Sequence, residues 1–305
     1  MNKKVSVVLP VYFVNRRWLE RSIISVLAQD YEPIELIVVN DRATEPIDDF
    51  VRSFGIAKYR KNDKNRGLPY SLNRGFEEAD GEYHTWTSAD NFMLPGMVSR
   101  LVREMEERRD LAVVCGKSRY IDATDRLMNL PDAEVACAKL SCCDLRSPYV
   151  EARYTYYGSL GACFLYRKEA WEQLEGYDEN LHGSEDFDFW IRASRTFRMG
   201  RIPWEEDPLY VYRVHSDSIS ANVAGCFTKA RLAILQREAQ QYPRDTDLRK
   251  AIQYYTRFAG QQKGNRFRRA LQTLRNRVAS VETGWASPTE ERRRGRATQQ
   301  EKEYP

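Results

Sequence analysis

The sequence predicts an α/β protein whose doubly wound, mostly parallel sheet is flanked by helices. Short apolar segments alternate with segments of helical periodicity over residues 5–115, which is typical of such sheets. Three of the apolar segments run directly into polar residues: Tyr12, then Asn40 and Asp41, then Asp90 and Asn91. Open α/β sheets bind ligands beyond the carboxyl ends of their strands, so we expect these three ends to face one site.

The first part of the chain contains alternating predicted strands and helices. The strands are residues 5–12, 34–39, 57–60, 83–87 and 111–115. The helices are residues 17–29, 47–54, 69–78 and 94–108. The first helix has four apolar residues on one face: Leu19, Ile23, Val26 and Leu27. Pro95 suits the first turn of the last helix, where its missing N–H costs no hydrogen bond.

Regular alternation stops after Tyr120. Residues 122–150 are polar and irregular, which favours a long functional loop over a site. Further elements are predicted as a strand at 158–166, a helix at 168–174 and a strand at 209–214. Ser184 is positioned to cap a helix that begins at Glu185 and continues to about residue 196.

The length and composition indicate one large domain with an appendage. A chain of 305 residues can bury a full core, and we divide it into a main domain at 1–222, a helical extension at 223–283 and a disordered polar tail at 284–305. No apolar run is long enough to span a membrane. The chain enters its first strand without a signal-peptide core, and its six cysteines lack a CxxC spacing. A cytoplasmic location with reduced thiols is therefore expected.

Positive charge is concentrated at the C-terminal end. Residues 265–305 contain ten Lys and Arg against five Asp and Glu, a net charge of +5, so the preceding 264 residues carry about −1 of the total of +4. Residues 266–281 have helical spacing, with Phe267, Leu271, Leu274 and Val278 on one side. Such a helix can contact the inner face of a membrane or, less favoured, nucleic acid. Packing of its apolar side on the main domain is the favoured interpretation.

Five motifs occur in a fixed order between residues 4 and 222. They are Ser-Val-Val-Leu-Pro-Val-Tyr at 6–12, Glu-Leu-Ile-Val-Val-Asn-Asp at 35–41, Thr-Ser-Ala-Asp-Asn at 87–91, Gly-Ser-Glu-Asp at 183–186 and Tyr-Arg-Val-His at 212–215. In this order they resemble the family 2 glycosyltransferases of the GT-A fold, and together they are far more specific than any one alone. The resemblance implies a metal-dependent, inverting enzyme that moves a sugar from a nucleotide-diphosphate sugar of the UDP type to an acceptor hydroxyl.

The resemblance assigns the nucleotide site to the ends of the first two strands. Its floor would be formed by three residues: Pro10, Val11 and Tyr12. Asp41 would accept the imide N–H of the base, and Asn40 stands where a second acid is common. Phe13 departs from the Asn that usually follows the Tyr. Without the other motifs, a cap or turn residue would be the better interpretation of Asp41.

The resemblance also assigns a metal site. Asp90 matches the metal-binding acid of the family, and His215 is its expected second protein ligand or a diphosphate contact. One carboxylate and a substrate diphosphate are chemically sufficient for Mn²⁺ or Mg²⁺, and manganese is favoured if the imidazole coordinates. Ser88 and Ala89 are expected beside the donor, although other members often have acids there. A simple loop is the alternative for this motif.

Asp186 is the candidate general base, because inverting transfer needs a carboxylate to take the proton of the acceptor hydroxyl. Glu185, and Asp188 shortly after it, could raise its pKa or orient it. The alternative is that these acids only complement the helix dipole. Arg213 is expected to stabilise the leaving diphosphate together with the metal, and His182 is a candidate contact on the acceptor side.

A cell-surface glycan or a lipid-linked precursor is the expected acceptor, and modified DNA is less favoured. A nucleotidyltransferase would normally have a Gly-rich phosphate loop after its first strand, which this chain lacks. A non-catalytic nucleotide-sugar or glycan-binding module with a degraded site is the other alternative. The substitutions at Ser88 and Ala89 support that alternative, whereas Asp90, Asp186 and His215 together argue against it.

Overall fold

The computed structural model describes residues 2–128, 160–203, 206–218 and 224–261. Most of the predicted loop at 122–150, the predicted basic helix at 266–281 and the predicted tail at 284–305 lie outside these ranges. The expectations for those segments stay predictions. The boundary between main domain and extension at residue 222 also stays a prediction, since it falls in a gap.

The strands, in chain order, are β1 (Val5–Val11), β2 (Ile34–Asn40), β3 (Lys58–Lys61), β4 (Tyr83–Trp86), β5 (Phe92–Met93), β6 (Leu111–Cys115), β7 (Ser118–Ile121), β8 (Leu127–Met128), β9 (Phe164–Arg167), β10 (Arg198–Arg201) and β11 (Tyr210–Arg213). The helices are α1 (Arg16–Leu27), α2 (Asp48–Arg52), α3 (Leu68–Glu77), α4 (Met97–Glu107), α5 (Lys168–Gln173), α6 (Glu185–Thr196), α7 (Ala224–Gln241) and α8 (Thr246–Gln261).

A seven-stranded sheet in the order β10-β6-β9-β4-β1-β2-β3 forms the centre of the protein. Neighbours pair in parallel except where β9 pairs antiparallel with β4 and β6. The predicted α/β class with a mostly parallel sheet is confirmed. From β1 the chain proceeds to one side through β2 and β3, and then crosses to the other side at β4. The switch point of the sheet, where ligands bind in open α/β folds, therefore lies between the carboxyl ends of β1 and β4.

Both faces of this sheet are covered. One face packs against α1 and α4, with Leu19, Ile23 and Met105 fully buried. The other face packs against α3, α5 and α6, where Phe76 and Trp190 belong to a separate apolar cluster. The layers on both sides explain why the strands are continuous apolar runs rather than alternating ones.

A second sheet of four strands, ordered β5-β11-β7-β8, was not predicted. Its strand β11 pairs antiparallel with β5 and parallel with β7. Because β5 follows Asp90 and Asn91 directly, and β11 precedes His215, this small sheet brings the third and fifth motifs together.

Three local expectations were wrong. Leu27 is 48% exposed, since it lies at the end of α1 beyond the buried stripe. The helix predicted from residue 94 begins at Met97, because Gly96 is its N-cap in a left-handed conformation (φ 83°) and Pro95 falls in the preceding turn. The strand predicted from residue 158 begins only at Phe164, and residues 160–163 are irregular.

The helices α7 and α8 pack against α6 rather than against the sheet. Ile234, Leu235 and Leu248 from the extension are buried against Phe187 and Ile191 of α6. The helix α6 is thus enclosed between the sheet and the extension. Among the described residues, no helix has the length and apolarity needed to cross a membrane.

Candidate active site at the carboxyl edge of the sheet

Asp90 and His215 are in direct contact, although they are 125 positions apart in the chain. His215 Nε2 lies 2.8 Å from Asp90 Oδ2. His215 is 4% exposed, and the side chain of Asp90 is 22% exposed. Among the described residues, Asp90 Oδ1 and His215 Nδ1 are buried without a hydrogen-bond partner. Buried polar atoms are nearly always paired in folded proteins, so two orphaned atoms on one pair of side chains mark a candidate ligand site.

The antiparallel pairing of β11 with β5 produces this contact. Val211 faces Phe92 in the register, so the chain after β11 passes the segment before β5. Asn91 Oδ1 accepts the N–H of Arg213 at 2.7 Å and extends the pairing. At the end of β4, Thr87 Oγ1 lies 2.8 Å from the hydroxyl of Tyr210. The loop that carries Asp90 is therefore held to β11 at both ends.

Arg213 lies beneath this loop. Its side chain is 1% exposed, Nε donates to the carbonyl of Asp90 at 3.0 Å, and Nη1 lies 2.7 Å from Asp125 Oδ1. Nη1 also donates to the carbonyl of Asp122 at 3.0 Å. With these partners the guanidinium is committed to protein groups, so the geometry favours support of the Asp90 loop over direct contact with a diphosphate.

Aromatic side chains cover the imidazole of His215. The ring of Trp18, from α1, lies 4.9 Å from it, and the ring of Phe13 lies 6.1 Å away. The guanidinium of Arg213 stacks on Trp18 at 4.7 Å. Phe13 and Tyr12 are 41% and 49% exposed, so an apolar rim stands at the carboxyl end of β1.

Asp41 organises the loop after β3. Its Oδ1 accepts from Asn62 Nδ2 at 2.8 Å and from the N–H of Arg66 at 2.7 Å, and its Oδ2 accepts from the N–H of Gly67 at 2.8 Å. The residue is 3% exposed. Each carboxylate oxygen has two lone pairs, so Oδ2 retains capacity for one further donor. Contact with a base stays a prediction, and the turn-forming function proposed as its alternative is visible.

The other predicted donor-site residues lie along the same edge. Asn40 is buried, donates from Nδ2 to the hydroxyl of Tyr59 at 2.8 Å and accepts the N–H of Ala43 at 2.8 Å. Val11 is fully buried and Pro10 is half-buried. Ser88 and Ala89 are half-buried, and the carbonyl of Ser88 accepts from Ser22 Oγ at 2.9 Å.

The two candidate catalytic acids occupy the first turn of α6. Glu185 is 3% exposed and Asp186 is half-buried. Burial raises the pKa of Glu185 well above its usual range, and the adjacent Asp186 carboxylate raises it further. Glu185 Oε2 accepts the N–H of Gly183 at 2.6 Å, and Asp186 Oδ1 accepts the N–H of Phe187 at 2.6 Å. The raised pKa favours the protonated form of Glu185, whose carboxyl adjoins that of Asp186.

Ser184 does not cap α6 with its side chain, contrary to the prediction. Its Oγ is buried without a hydrogen-bond partner among the described residues. The reason is local, because Asp186 Oδ1 accepts the N–H of Phe187, one of the two N–H groups that a capping side chain would accept. Asp188 is likewise not a free neighbour of Asp186, since its side chain is 1% exposed and paired with Arg192 at 2.7 Å.

Tyr177 and His182 connect α6 to the edge of the sheet. Trp86, at the end of β4, donates from Nε1 to the Tyr177 hydroxyl at 3.1 Å. The pKa of Tyr177 is raised chiefly by burial, and the charges of Asp186 and Glu185 contribute. The ring of His182 lies against Gly67, where a Cβ atom would approach it to 2.5 Å. The loop held by Asp41 therefore touches the segment that leads into α6.

The donor set at Asp90 is suited to a divalent cation. Cis ligands at about 2.1 Å from an ion are separated by about 3 Å, which is close to the 2.8 Å between Asp90 Oδ2 and His215 Nε2. In the described part of the chain, no group of three or more His, Cys, Asp and Glu side chains is arranged to hold a metal. Two protein ligands match the pattern of cations whose remaining ligands are waters and substrate phosphates.

Several residues of this site were not predicted: Trp18, Asn62, Gly67, Asp125 and Tyr177. For two of them the sequence contained a signal. Gly67 follows a polar run after a strand and adopts φ 88°, and Tyr177 lies in a Gly-Tyr-Asp turn. The importance of Asp125 depends on a hairpin that the sequence did not predict.

The comparisons with known proteins agree with this geometry. The profile of "Glycosyl transferase family 2" matches residues 6–174. The chain belongs to this family. An uncharacterised glycosyltransferase of Rickettsia typhi is 27% identical over 72% of this chain and 66% of its own length. The uncharacterised glycosyltransferase EpsJ of Bacillus subtilis is 29% identical over 71% of this chain and 62% of its own length. The chain thus spans about two thirds or less of these relatives.

A third relative is named as a glucosyl-dolichyl phosphate glucuronosyltransferase of Haloferax volcanii, with 32% identity over 58% of this chain and 56% of its own length. Among solved structures, S. aureus TarS with UDP-GlcNAc has a TM-score of 0.61 at 17% identity, covering 77% of this chain and 66% of TarS. The Pyrobaculum calidifontis mannosyltransferase PcManGT, with GDP-Man and Mn²⁺, has a TM-score of 0.58 at 16% identity, covering 98% and 80%. The predicted fold and the predicted family are confirmed.

Proposed function

We propose that this glycosyltransferase transfers a sugar from a nucleotide-diphosphate sugar of the UDP type to an acceptor hydroxyl, with inversion and with a divalent cation. The observation that carries the proposal is the contact between Asp90 and His215 at the switch point of the sheet. A carboxylate with an orphaned oxygen beside an imidazole is a suitable partner for a cation and a diphosphate. Mn²⁺ is favoured over Mg²⁺ because of the imidazole.

The comparisons support the donor class. TarS has been solved with UDP and UDP-GlcNAc, and PcManGT with GDP-Man and Mn²⁺. By analogy, the exposed rim of Tyr12 and Phe13 would lie against the nucleotide, and Asp41 Oδ2 would accept one N–H of the base. Pro10, Val11, Asn40, Ser88 and Ala89 would complete this side of the site.

In the proposed reaction Asp186 acts as general base. The acceptor oxygen forms a bond to the anomeric carbon on the face opposite the diphosphate, the bond from that carbon to the diphosphate oxygen breaks, and Asp186 takes the acceptor proton. A cation held by Asp90 and His215 would stabilise the negative charge of the leaving diphosphate. Protonation of Glu185 keeps a second negative charge away from the attacking oxygen.

In this proposal Arg213 positions the Asp90 loop and does not contact the diphosphate itself. Its burial and its bonds to Asp90 and Asp125 support this modified assignment. The acceptor is proposed to be a glycan or a lipid-linked precursor in cell-surface glycan synthesis. The relative named for glucosyl-dolichyl phosphate supports a lipid-linked acceptor. Action at the inner face of a membrane would use the predicted basic helix at 266–281.

A panel of UDP- and GDP-sugars with Mn²⁺ or Mg²⁺ tests the proposal. Thermal shift identifies the donor, because a ligand that binds the folded state raises its apparent stability, and NMR then follows hydrolysis or transfer. Asp186→Asn is expected to keep the donor-dependent shift and to lose about 10³-fold in kcat. Equal turnover by this variant would refute Asp186 as base. Donor binding without turnover by the unmodified chain would support the non-catalytic alternative.

A further inference from the structure

The first turn of α6 is contacted by the C-terminal helices as well as by the sheet. Phe189 and Trp190 point to the sheet side, whereas Phe187 and Ile191 are buried in the cluster formed with α7 and α8. Phe187 comes directly after Asp186. The apolar contacts that fix the two candidate catalytic acids are therefore shared between the main domain and the extension.

A partly buried ion pair joins the main domain to the extension at the same place. Asp188, whose side chain is 1% exposed, accepts at Oδ2 from Arg192 Nε and at Oδ1 from Arg237 Nη2 of α7. A buried carboxylate without a charged partner strongly destabilises a fold. Arg237 is thus one of two arginines that compensate the charge of Asp188, an acid located two residues after the candidate base.

Arg237 also reaches the second segment that borders these acids. Its Nη1 lies 3.7 Å from Asp178 Oδ2, next to Tyr177, whose ring stacks on Phe189 at 4.6 Å between centroids. Arg192 donates to the carbonyls of Leu174 and Gly176, the latter at 2.9 Å. One charged network therefore links α7, the turn at 174–178 and the first turn of α6.

We infer that the helices α7 and α8 are part of the catalytic unit, with Arg237 as a positioning residue for the carboxylates at the start of α6. Arg237 lies outside the segment that matches the family profile, and its guanidinium acts through Asp188 and Asp178. The inference rests on the proposed function of Asp186. It predicts that loss of Arg237 moves Asp186 away from its productive position without affecting the donor site around Asp90.

The test compares Arg237→Gln and Arg237→Lys in the full chain with Lys229→Gln, a charge-removing control at an exposed position of the same helix. The first probe is UDP-GlcNAc with Mn²⁺, followed by the donor found in the panel. Arg237→Gln should lower kcat about 10- to 100-fold, because small displacements of a reacting group have effects of this size. The donor KM should change less than about twofold. Arg237→Lys should recover most of the loss, and Lys229→Gln should match the unmodified chain.

A double-mutant cycle with Asp188→Asn isolates the pair. In the Asp188→Asn background, Arg237→Gln should lower kcat little further, because the effects of substitutions within one charged network are not additive. Full additivity, or a loss of melting temperature with unchanged kcat per folded molecule, would overturn the inference.

Hydrogen exchange separates this inference from the proposed function. Arg237→Gln should speed amide exchange of residues 185–192 and leave β1 and β4 unchanged, with or without a donor. Unchanged exchange at 185–192 would overturn the positioning function even if the enzyme turns over. If Arg237→Gln speeds exchange at 185–192 as expected but the unmodified chain turns over no donor, the result counts against the proposed function alone.

Discussion

The carboxyl groups of Glu35 and Glu185, at opposite ends of the central sheet, have opposite pKa shifts. At the amino end, Glu35 accepts from Ser6 Oγ at 2.5 Å and the N–H of Asp80 at 2.8 Å, and it lies 2.8 Å from Lys58 Nζ. Burial alone would raise the pKa of Glu35, but the hydrogen bonds from Lys58, Ser6, Asp80 and Lys4 outweigh it and lower the pKa to about 2.

At the carboxyl end the balance is reversed. Burial raises the pKa of Glu185, and its nearest charged neighbour is another acid, Asp186. Asp90 Oδ1 and His215 Nδ1 both lack a hydrogen-bond partner among the described residues. Carboxylates with full sets of partners stabilise the fold, whereas those left incomplete are available for ligands and protons. The difference predicts which end carries function.

The largest effect is expected from Asp90→Asn. The substitution removes the charge that would hold a cation, so kcat/KM should fall about 10³-fold, or about 4 kcal/mol of transition-state stabilisation. The free energy of unfolding should stay equal or rise slightly. Glu35→Gln is the matched control at the other end of the sheet and should keep kcat/KM. Equal losses of kcat/KM in Asp90→Asn and Glu35→Gln would contradict the assignment of catalysis to the carboxyl end of the sheet and of stability to its amino end.

Asp125→Asn should be the most destabilising of these substitutions. It leaves the buried guanidinium of Arg213 without its carboxylate, and we expect a loss of about 2–3 kcal/mol, less than for a fully buried pair because Asp125 is partly exposed. Urea unfolding measures it. Asp49→Asn, at a fully exposed position, is the control and should unfold like the unmodified chain. An equally stable Asp125→Asn would mean that Arg213 is supported by other groups.

Glu35→Gln should cost about 2 kcal/mol at pH 7, after allowance for the solvent near Lys4 and Asp80. Because the folded pKa of Glu35 lies below its unfolded value, its contribution is present above about pH 4.5 and is lost as the pH falls toward 2. The difference in free energy of unfolding between the unmodified chain and Glu35→Gln should therefore shrink to zero as the pH falls from 5 to 2. A difference that stays constant over this range would exclude an ionic origin.

The smallest effect is expected from Glu185→Gln, and it has the opposite sign. Because the folded pKa of Glu185 is raised, its contribution is present below the unfolded pKa and is lost as the pH rises through the folded value. The amide mimics the protonated acid, so the variant should be more stable than the unmodified chain by about 1 kcal/mol on the alkaline side and equal to it near pH 4. Lower stability of the variant at pH 9 would contradict the raised pKa.

The central sheet and both flanking layers could be predicted, because apolar strands and helical periodicity are local properties of the sequence. The second sheet could not. Its strands β5 and β8 have two residues each, and they exist only through pairing with β11 and β7. The predicted cap at Ser184 is absent because the carboxylate of Asp186 accepts the N–H of Phe187 instead.

At the site, the family resemblance placed Asp90 and His215 together, and these two side chains are in contact. The function of each residue at the site stays a prediction. The burial of Arg213 could not be predicted, since it depends on Asp125 in an unpredicted hairpin. The bonds of Asp41 to Asn62 and Gly67 depend in the same way on the path of a loop.

Calorimetric titration of UDP with and without Mn²⁺ tests the central claim most directly. In the unmodified chain Mn²⁺ should tighten UDP binding at least about tenfold, whereas in Asp90→Asn and His215→Gln the ion should have little effect on the affinity. Retention of the full Mn²⁺ effect in both variants would contradict the assignment of the cation and diphosphate to this pair of side chains.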